Sequence, residues 1–185
     1  MKKSIMYVGL DVHKNSIEVA FADAGRQGEV RSYGRIDGTL ASLDKLIRKL
    51  EAKGNSLSFA YEAGPCGYEI YRHLHNKGYD CLVVAPSMIP RQSGNRIKND
   101  RRDAQMLARL HRAGELTSVY VPTLDDEAMR DLTRAREDAK SVERKAKQRI
   151  LAFLLRHGYR YSGKTPWNRA HFRWIATLKM PHPAQ

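Results

Sequence analysis

The stretch from Ile5 to Leu10 is short and mostly apolar, and it stops at Asp11. A run of this length and character suits a central strand covered on both faces, so the chain must build layers on each side of a sheet. Ser16 to Ala22 sets Ile17, Val19 and Phe21 against Ser16, Glu18 and Ala20, the period of a half-buried strand. Between the two, Asp11-Val-His-Lys-Asn15 reads as a turn, which makes the pair a hairpin. A third strand is predicted from Glu29 to Arg35, bounded by Gly25 and Gly28 on one side and Asp37-Gly38 on the other.

The period then changes. Leu40, Leu43, Leu46, Ile47 and Leu50 fall on one stripe of a helix predicted from Thr39 to Lys53, and Gly54-Asn55 stops it. Leu57 to Tyr61 returns as a strand and delivers Glu62 at its C-terminal end. A tight Ala63–Gly67 loop leads into a helix from Tyr68 to Asn76, and Cys81 to Ala85 is another buried strand, stopped by Pro86. After a basic loop, a helix runs from Asp100 to Ala113 and closes at Gly114. Three strands in a meander followed by alternating helix and strand predict a mixed five-stranded α/β sheet with flanking helices, the order of an RNase H-like core.

From Asp125 onward Ala128, Leu132, Ala135, Ala139, Val142, Ala146, Ile150 and Phe153 recur at spacings of four and three. That is the seam of a coiled coil or of a helical hairpin. Between Arg130 and Arg160 there are ten Lys or Arg against four Asp or Glu, so the outer faces are basic. A protruding arm that meets nucleic acid or a partner subunit fits this pattern, and so does a solvated helix on its own domain. Phe172, Trp174, Ile175 and Leu178 mark a short helix near the end, and Pro181 and Pro183 read as a linker toward a further domain. The expected organisation is a domain over 1–120 followed by a basic helical arm and linker over 121–185.

The whole chain carries 33 Lys and Arg against 20 Asp and Glu, a formal charge of +13. Such a surplus favours polyanions, chiefly nucleic acid, and is unusual for a small-molecule kinase. Cys66 and Cys81 lack metal-ligand spacing and read as reduced thiols of a cytoplasmic protein. No apolar run approaches the roughly 20 residues of a membrane span.

Four acids stand out by position: Asp11 and Glu62 at strand ends, and Asp100 and Asp103 three residues apart on one helix face. Sites in open α/β sheets form outside the carboxyl ends of strands. Four acids gathered there repel one another unless a cation is present, and Mg²⁺ prefers such hard oxygen ligands. Two ions roughly 4 Å apart can activate an attacking oxygen and stabilise a leaving one at phosphorus. Each acid also has a plain structural reading: Asp11 begins a turn, Asp100 caps a helix that Asp103 reinforces, and Glu62 adds polarity to a loop. Arg91, Arg96, Lys98, Arg101, Arg102, Arg109 and Arg112 crowd the last two acids, as a phosphodiester substrate requires. His13 and Lys14 adjoin the first acid, where His13 either touches a phosphate or a metal-bound water or is simply an exposed turn residue. Tyr61, Tyr68 and Tyr71 offer rings for base stacking, though Tyr61 and Tyr71 fit the core better.

The segments Tyr7-Val-Gly-Leu-Asp11-Val-His-Lys14, Tyr61-Glu62-Ala-Gly-Pro-Cys-Gly67 and Lys98-Asn-Asp100-Arg-Arg-Asp103-Ala-Gln-Met-Leu-Ala108 resemble the DEDD transposases of bacterial insertion sequences. The resemblance implies an RNase H/RuvC-like N-terminal domain whose acidic tetrad falls on Asp11, Glu62, Asp100 and Asp103. It implies dependence on one or two Mg²⁺ or Mn²⁺ ions, DNA cleavage and rejoining, and guidance by a structured RNA encoded by the element. It also implies dimers and tetramers formed through the helical segment. Members continue into a C-terminal domain that supplies a nucleophilic serine, and no serine here occupies that context. Nucleic-acid contacts are expected from Lys14, Arg91, Arg96, Lys98, Arg101, Arg102, Arg144 and Lys147. Three other readings stay open: a Holliday-junction-resolvase-like nuclease, a non-catalytic nucleic-acid-binding module, and the lobe of an actin-like kinase or ATPase, which also opens on Val-Gly-Leu-Asp.

Overall fold

Strands β1 (Ile5–Val12), β2 (Ser16–Asp23) and β3 (Val30–Asp37) form an antiparallel meander, and β4 (Ser56–Glu62) and β5 (Asp80–Val84) extend it in parallel. The sheet order is β3-β2-β1-β4-β5, with β2 alone reversed. This computed structural model describes residues 4–25, 28–52, 54–90 and 99–185. It divides into two compact units, Met1–Val121 and Pro122–Gln185.

The ladder between β1 and β2 runs on through Asp11 opposite Glu18 and Val12 opposite Ile17. The turn is therefore shorter than the sequence suggested, because Asp11 and Val12 still pair. Helices α1 (Leu40–Glu51) and α2 (Glu69–Asn76) close the two parallel crossovers. Thr39 caps α1 by accepting a hydrogen bond from the Ser42 amide. Leu43, Leu46, Ile47 and Leu50 of α1 and Ile70 and Leu74 of α2 bury against Met6, Val8, Leu10, Phe59 and Tyr61 of the sheet.

The opposite face is covered by α3 (Asp100–Ala113) through small residues: Ala20 and Ala22 of β2 meet Ala104 and Ala108. Gly9 completes the close approach, since a Cβ there would stand 2.3 Å from the Ala104 carbonyl oxygen and 2.5 Å from the Ala108 nitrogen. Hence β2 is buried on both faces rather than half-buried. Ala20 and Ala22 read as an outward face by alternation, yet they are apolar and small enough to seat a helix. Arg112 turns inward from α3 and donates to the Gly28 carbonyl, so it serves the loop before β3.

In the second unit α4 (Leu124–Arg156) is one helix of 33 residues, about 50 Å long, not a hairpin. Thr123 caps it by accepting from the Asp126 amide, and Asp125, Asp126 and Glu127 complement its N-terminal dipole. Leu154 is its one buried residue, while Ala128, Leu132, Ala135, Ala139, Val142, Ala146 and Ile150 of the expected seam are exposed. Helix α5 (Arg169–Thr177) gathers Tyr161, Trp167 and Trp174 around the fully buried His171. Among the described residues no helix is long and apolar enough to cross a membrane.

Candidate metal centre

Residues facing each other in adjacent antiparallel strands project from the same side of a sheet. Asp11 of β1 pairs with Glu18 of β2, which pairs with Arg35 of β3. This row lies on the α3 face, since Gly9, two residues before Asp11, packs against that helix. The chain after the basic loop brings α3 to the same row. Asn99 is the N-cap, its side chain accepting from the Arg101 amide at 3.1 Å. Asp100 is therefore not consumed as the cap and presents its carboxylate to the sheet.

His13 Nε2 lies 3.1 Å from Asp11 Oδ2 and 3.6 Å from Asp100 Oδ2. Ligand atoms of Asp11, His13 and Asp100 all stand within 4.8 Å of one another, a grouping able to hold a metal ion. Arg35 Nη2 donates to Asp100 Oδ2 at 3.3 Å, and its Nε is 3.5 Å from Oε2 of the buried Glu18. Glu18, Arg35, Asn99, Asp100 and Arg101 line a cavity of about 370 Å³ beside this group.

Burial pushes the Asp11 carboxyl above its ordinary value; His13 opposes this by charge and hydrogen bond, while the charges of Asp100 and Asp103 add to it. Asp103 thus acts electrostatically on Asp11, although it is outside the three-residue group. Glu62 is the last residue of β4, next to Tyr61, which pairs with Leu10 and is buried with it on the α1 face. Alternation places Glu62 on the opposite face, the one that carries Asp11. Its side chain is exposed.

Lys14 is exposed in the β1–β2 turn, and Arg101 and Arg102 are exposed on the first turn of α3. Arg91, Arg96 and Lys98 fall outside the described residues. Arg144 and Lys147 belong to the second unit, on α4. Tyr61 is core, and Tyr68 and Tyr71 pack against it. Sequence reasoning missed Glu18 and Arg35 as neighbours of the acids. Reading the turn as residues 14 and 15 alone would have set His13 across from Ser16 and Glu18 across from Asp11.

A mixed five-stranded sheet with one reversed strand and helices on both faces is the arrangement of the RNase H/RuvC-like fold, and here it carries acids near the ends of β1 and β4 and on the helix beyond β5. The family model of IS110-type DEDD transposases, described as a transposase, matches residues 8–158, and the chain belongs to that family. It is 48% identical over 178 residues to y4qE of Sinorhizobium fredii (strain NBRC 101917 / NGR234), described as a transposase, covering 96% of this chain and 46% of that protein. It is 36% identical over 180 residues to the transposase for insertion sequence element IS1533 of Leptospira borgpetersenii, covering 96% of this chain and 51% of that one. The chain thus spans about half the length of these curated relatives. Among solved structures, T. thermophilus RuvC in complex with a Holliday junction substrate is similar at a TM-score of 0.40 and 10% identity, over 62% of this chain and 99% of that one.

Proposed function

We propose that this chain forms the metal-binding, DNA-cleaving part of an RNA-guided insertion-sequence transposase, with Asp11, Glu62, Asp100 and Asp103 as its carboxylate set. The observation that carries the reading is the convergence of Asp11 and Asp100 from two distant elements onto one point, with Asp103 adding repulsion that a cation would relieve. The donors fit the group: carboxylate oxygens are hard ligands of the kind Mg²⁺ or Mn²⁺ takes. Bound there, one or two such ions supply charge stabilisation to phosphodiester cleavage and strand transfer.

The chain's own residues prepare the site. Asp11 and Asp100 offer the first oxygens, and Glu62 and Asp103 complete the set from the neighbouring strand and the same helix. His13 orients Asp11 through its 3.1 Å contact. Arg35 neutralises Asp100 and Glu18 in the free protein and is placed to contact a phosphate once a cation takes over that task. Lys14, Arg101 and Arg102 flank the acids and contact the DNA backbone, a role also assigned to Arg91, Arg96 and Lys98 from their place in the sequence shortly before Asp100. No serine of this chain is given the nucleophile's role.

The first unit is the catalytic domain and the second a basic arm that binds DNA or the guide RNA through Arg144 and Lys147. The apolar seam of α4, solvent-exposed within the chain, supports assembly into dimers or tetramers through a second copy of the helix. The test is calorimetric titration of Mg²⁺ and Mn²⁺ into the chain and into Asp11→Asn and Asp103→Asn, with circular dichroism to verify the fold. Binding lost in both folded variants supports the site; unchanged affinity in both removes it.

A further inference from the structure

Trp167 is the one non-glycine residue with positive φ among the described residues, at 66°. For a bulky side chain this backbone is costly and persists only when its surroundings over-determine it. Here they do. The Trp167 amide donates to His171 Nδ1 at 3.1 Å, and Asn168 caps α5 by accepting from the His171 amide at 2.8 Å. His171 is fully buried, and its Nε2 has no hydrogen-bond partner among the described residues. Since Nδ1 accepts, a neutral ring carries its proton on Nε2, enclosed by the rings of Tyr161, Trp167 and Trp174 at 4.7, 5.0 and 5.5 Å between centroids. A buried histidine is thus given up to hold one indole in place.

That indole faces charge. With Lys140, Glu143, Arg144, Lys147, Gln148 and Leu151 of α4 it lines a groove of about 320 Å³. Lys140, Arg144 and Lys147 recur at four and three residues, so they share one side of the helix. Glu143 is the groove's one acid, and Lys147 already neutralises it at 2.5 Å. The same ammonium rides over the indole at 5.8 Å from its centroid, near the outer limit of a cation–π contact. An aromatic face fixed beside three cations matches a ligand that joins a flat ring to a phosphate.

We infer that Trp167 with Lys140, Arg144 and Lys147 forms a nucleotide platform: an unpaired base stacks on the indole while its flanking phosphates lie along α4. This deepens the arm's proposed binding of nucleic acid and rests on it. Duplex DNA keeps its bases stacked inside and cannot use the indole, so the platform selects single-stranded or looped nucleic acid. A base on the indole displaces Lys147 from the ring, and its ammonium is then shared between Glu143 and a flanking phosphate.

The experiment uses the whole chain in a Trp174→Phe background, which leaves Trp167 as the only fluorophore of its type, the chain having two tryptophans. A 12-nucleotide single strand and a duplex of the same sequence are titrated separately. The single strand is expected to quench Trp167 saturably, and the duplex to bind without quenching. Trp167→Leu should weaken the single strand roughly tenfold or more, as loss of a base–aromatic stack does, while duplex affinity stays unchanged. Trp167→Phe, which keeps an aromatic face, should recover most of the affinity, and Arg144→Glu on the exposed helix should weaken both ligands. Equal single-strand affinity in folded Trp167→Leu and parent overturns the platform but leaves the basic arm standing. Quenching that follows protein concentration rather than oligonucleotide means a second copy fills the groove, which also overturns it. Failure of both nucleic acids to bind the parent protein removes the arm reading itself.

Discussion

The two units solve the problem of burial in opposite ways. In the first, both faces of the sheet are covered: leucine-rich α1 and α2 lie on one, and α3 is drawn close on the other by alanines and Gly9. In the second, a 33-residue helix buries Leu154 alone and presents Leu132, Val142 and Ile150 to solvent at 64, 66 and 42% exposure. Most helical stability in proteins comes from packing of an apolar face, so the two halves stand on different footings. The sheet positions side chains to within hydrogen-bonding reach of one another, as a metal centre requires. The arm instead leaves surface free for a partner, and concentrates its local order in the aromatic cluster at His171.

Single truncations should separate the two most sharply. Phe59→Ala removes a fully buried ring and should cost the first unit about 3–5 kcal/mol. Leu132→Ala should change the second by less than about 0.5 kcal/mol in dilute solution. Urea unfolding followed by hydrogen exchange of β1 and β4 amides reads the first unit, and emission of Trp167 and Trp174 reads the second. A fall in the tryptophan midpoint with Phe59→Ala would mean that the units unfold together. A Leu132→Ala loss that grows with protein concentration would place a second helix on the seam.

Next in size is Gly9→Ala. Its methyl group meets backbone atoms of α3, which cannot rotate aside, so about 1–3 kcal/mol should be lost. If α3 shifts to relieve the clash, Asp100 and Asp103 move with it. Mn²⁺ affinity should then fall by more than the stability loss alone explains in the still-folded fraction. Retained affinity would show that the centre tolerates a displaced helix.

A third effect concerns acid. His111 near the end of α3 is buried beside Tyr7, its Nε2 2.7 Å from the Ser58 hydroxyl, which donates to Asp80 at 2.7 Å. Burial pushes its pKa below the ordinary histidine value. Between that lowered value and about 6.5 the unfolded chain therefore holds a proton that the folded one does not, and stability rises with pH there. The first unit should keep this contribution above about pH 6.5 and lose it as pH falls, by about 1.4 kcal/mol for each pH unit of the window. Denaturant midpoints at pH 7.5, 6.5 and 5.5 check this, and His111→Asn should flatten the trend. An equal slope in the variant would assign the acid sensitivity to other groups.

Element types and order were legible in the chain because each segment's apolar period matches its structure: Ile17, Val19 and Phe21 at two, Leu43, Leu46, Ile47 and Leu50 at three and four. Boundaries were less so. Asp11 and Val12 read as turn because a polar residue ends the run, yet ladder pairing carries the strand past it. The nature of β2's second face was also hidden, since alanine between strand residues does not announce a helix. In the arm, the four-and-three recurrence identified helix, but one helix and two give the same period.

Membership of the transposase family and the four acids were therefore properties of the sequence, carried by short local motifs around Asp11, Glu62 and Asp100. Tertiary structure decided what those acids meet. Arg35 bridges Glu18 and Asp100 only because strand register aligns β1, β2 and β3 and because Gly9 lets α3 approach. Trp167 becomes a fixed ring beside a basic groove only because His171 packs beneath it. Periodicity and motifs are local in the chain, so a sequence displays them. Register, close approach and burial join residues far apart in it, and only the folded chain sets them.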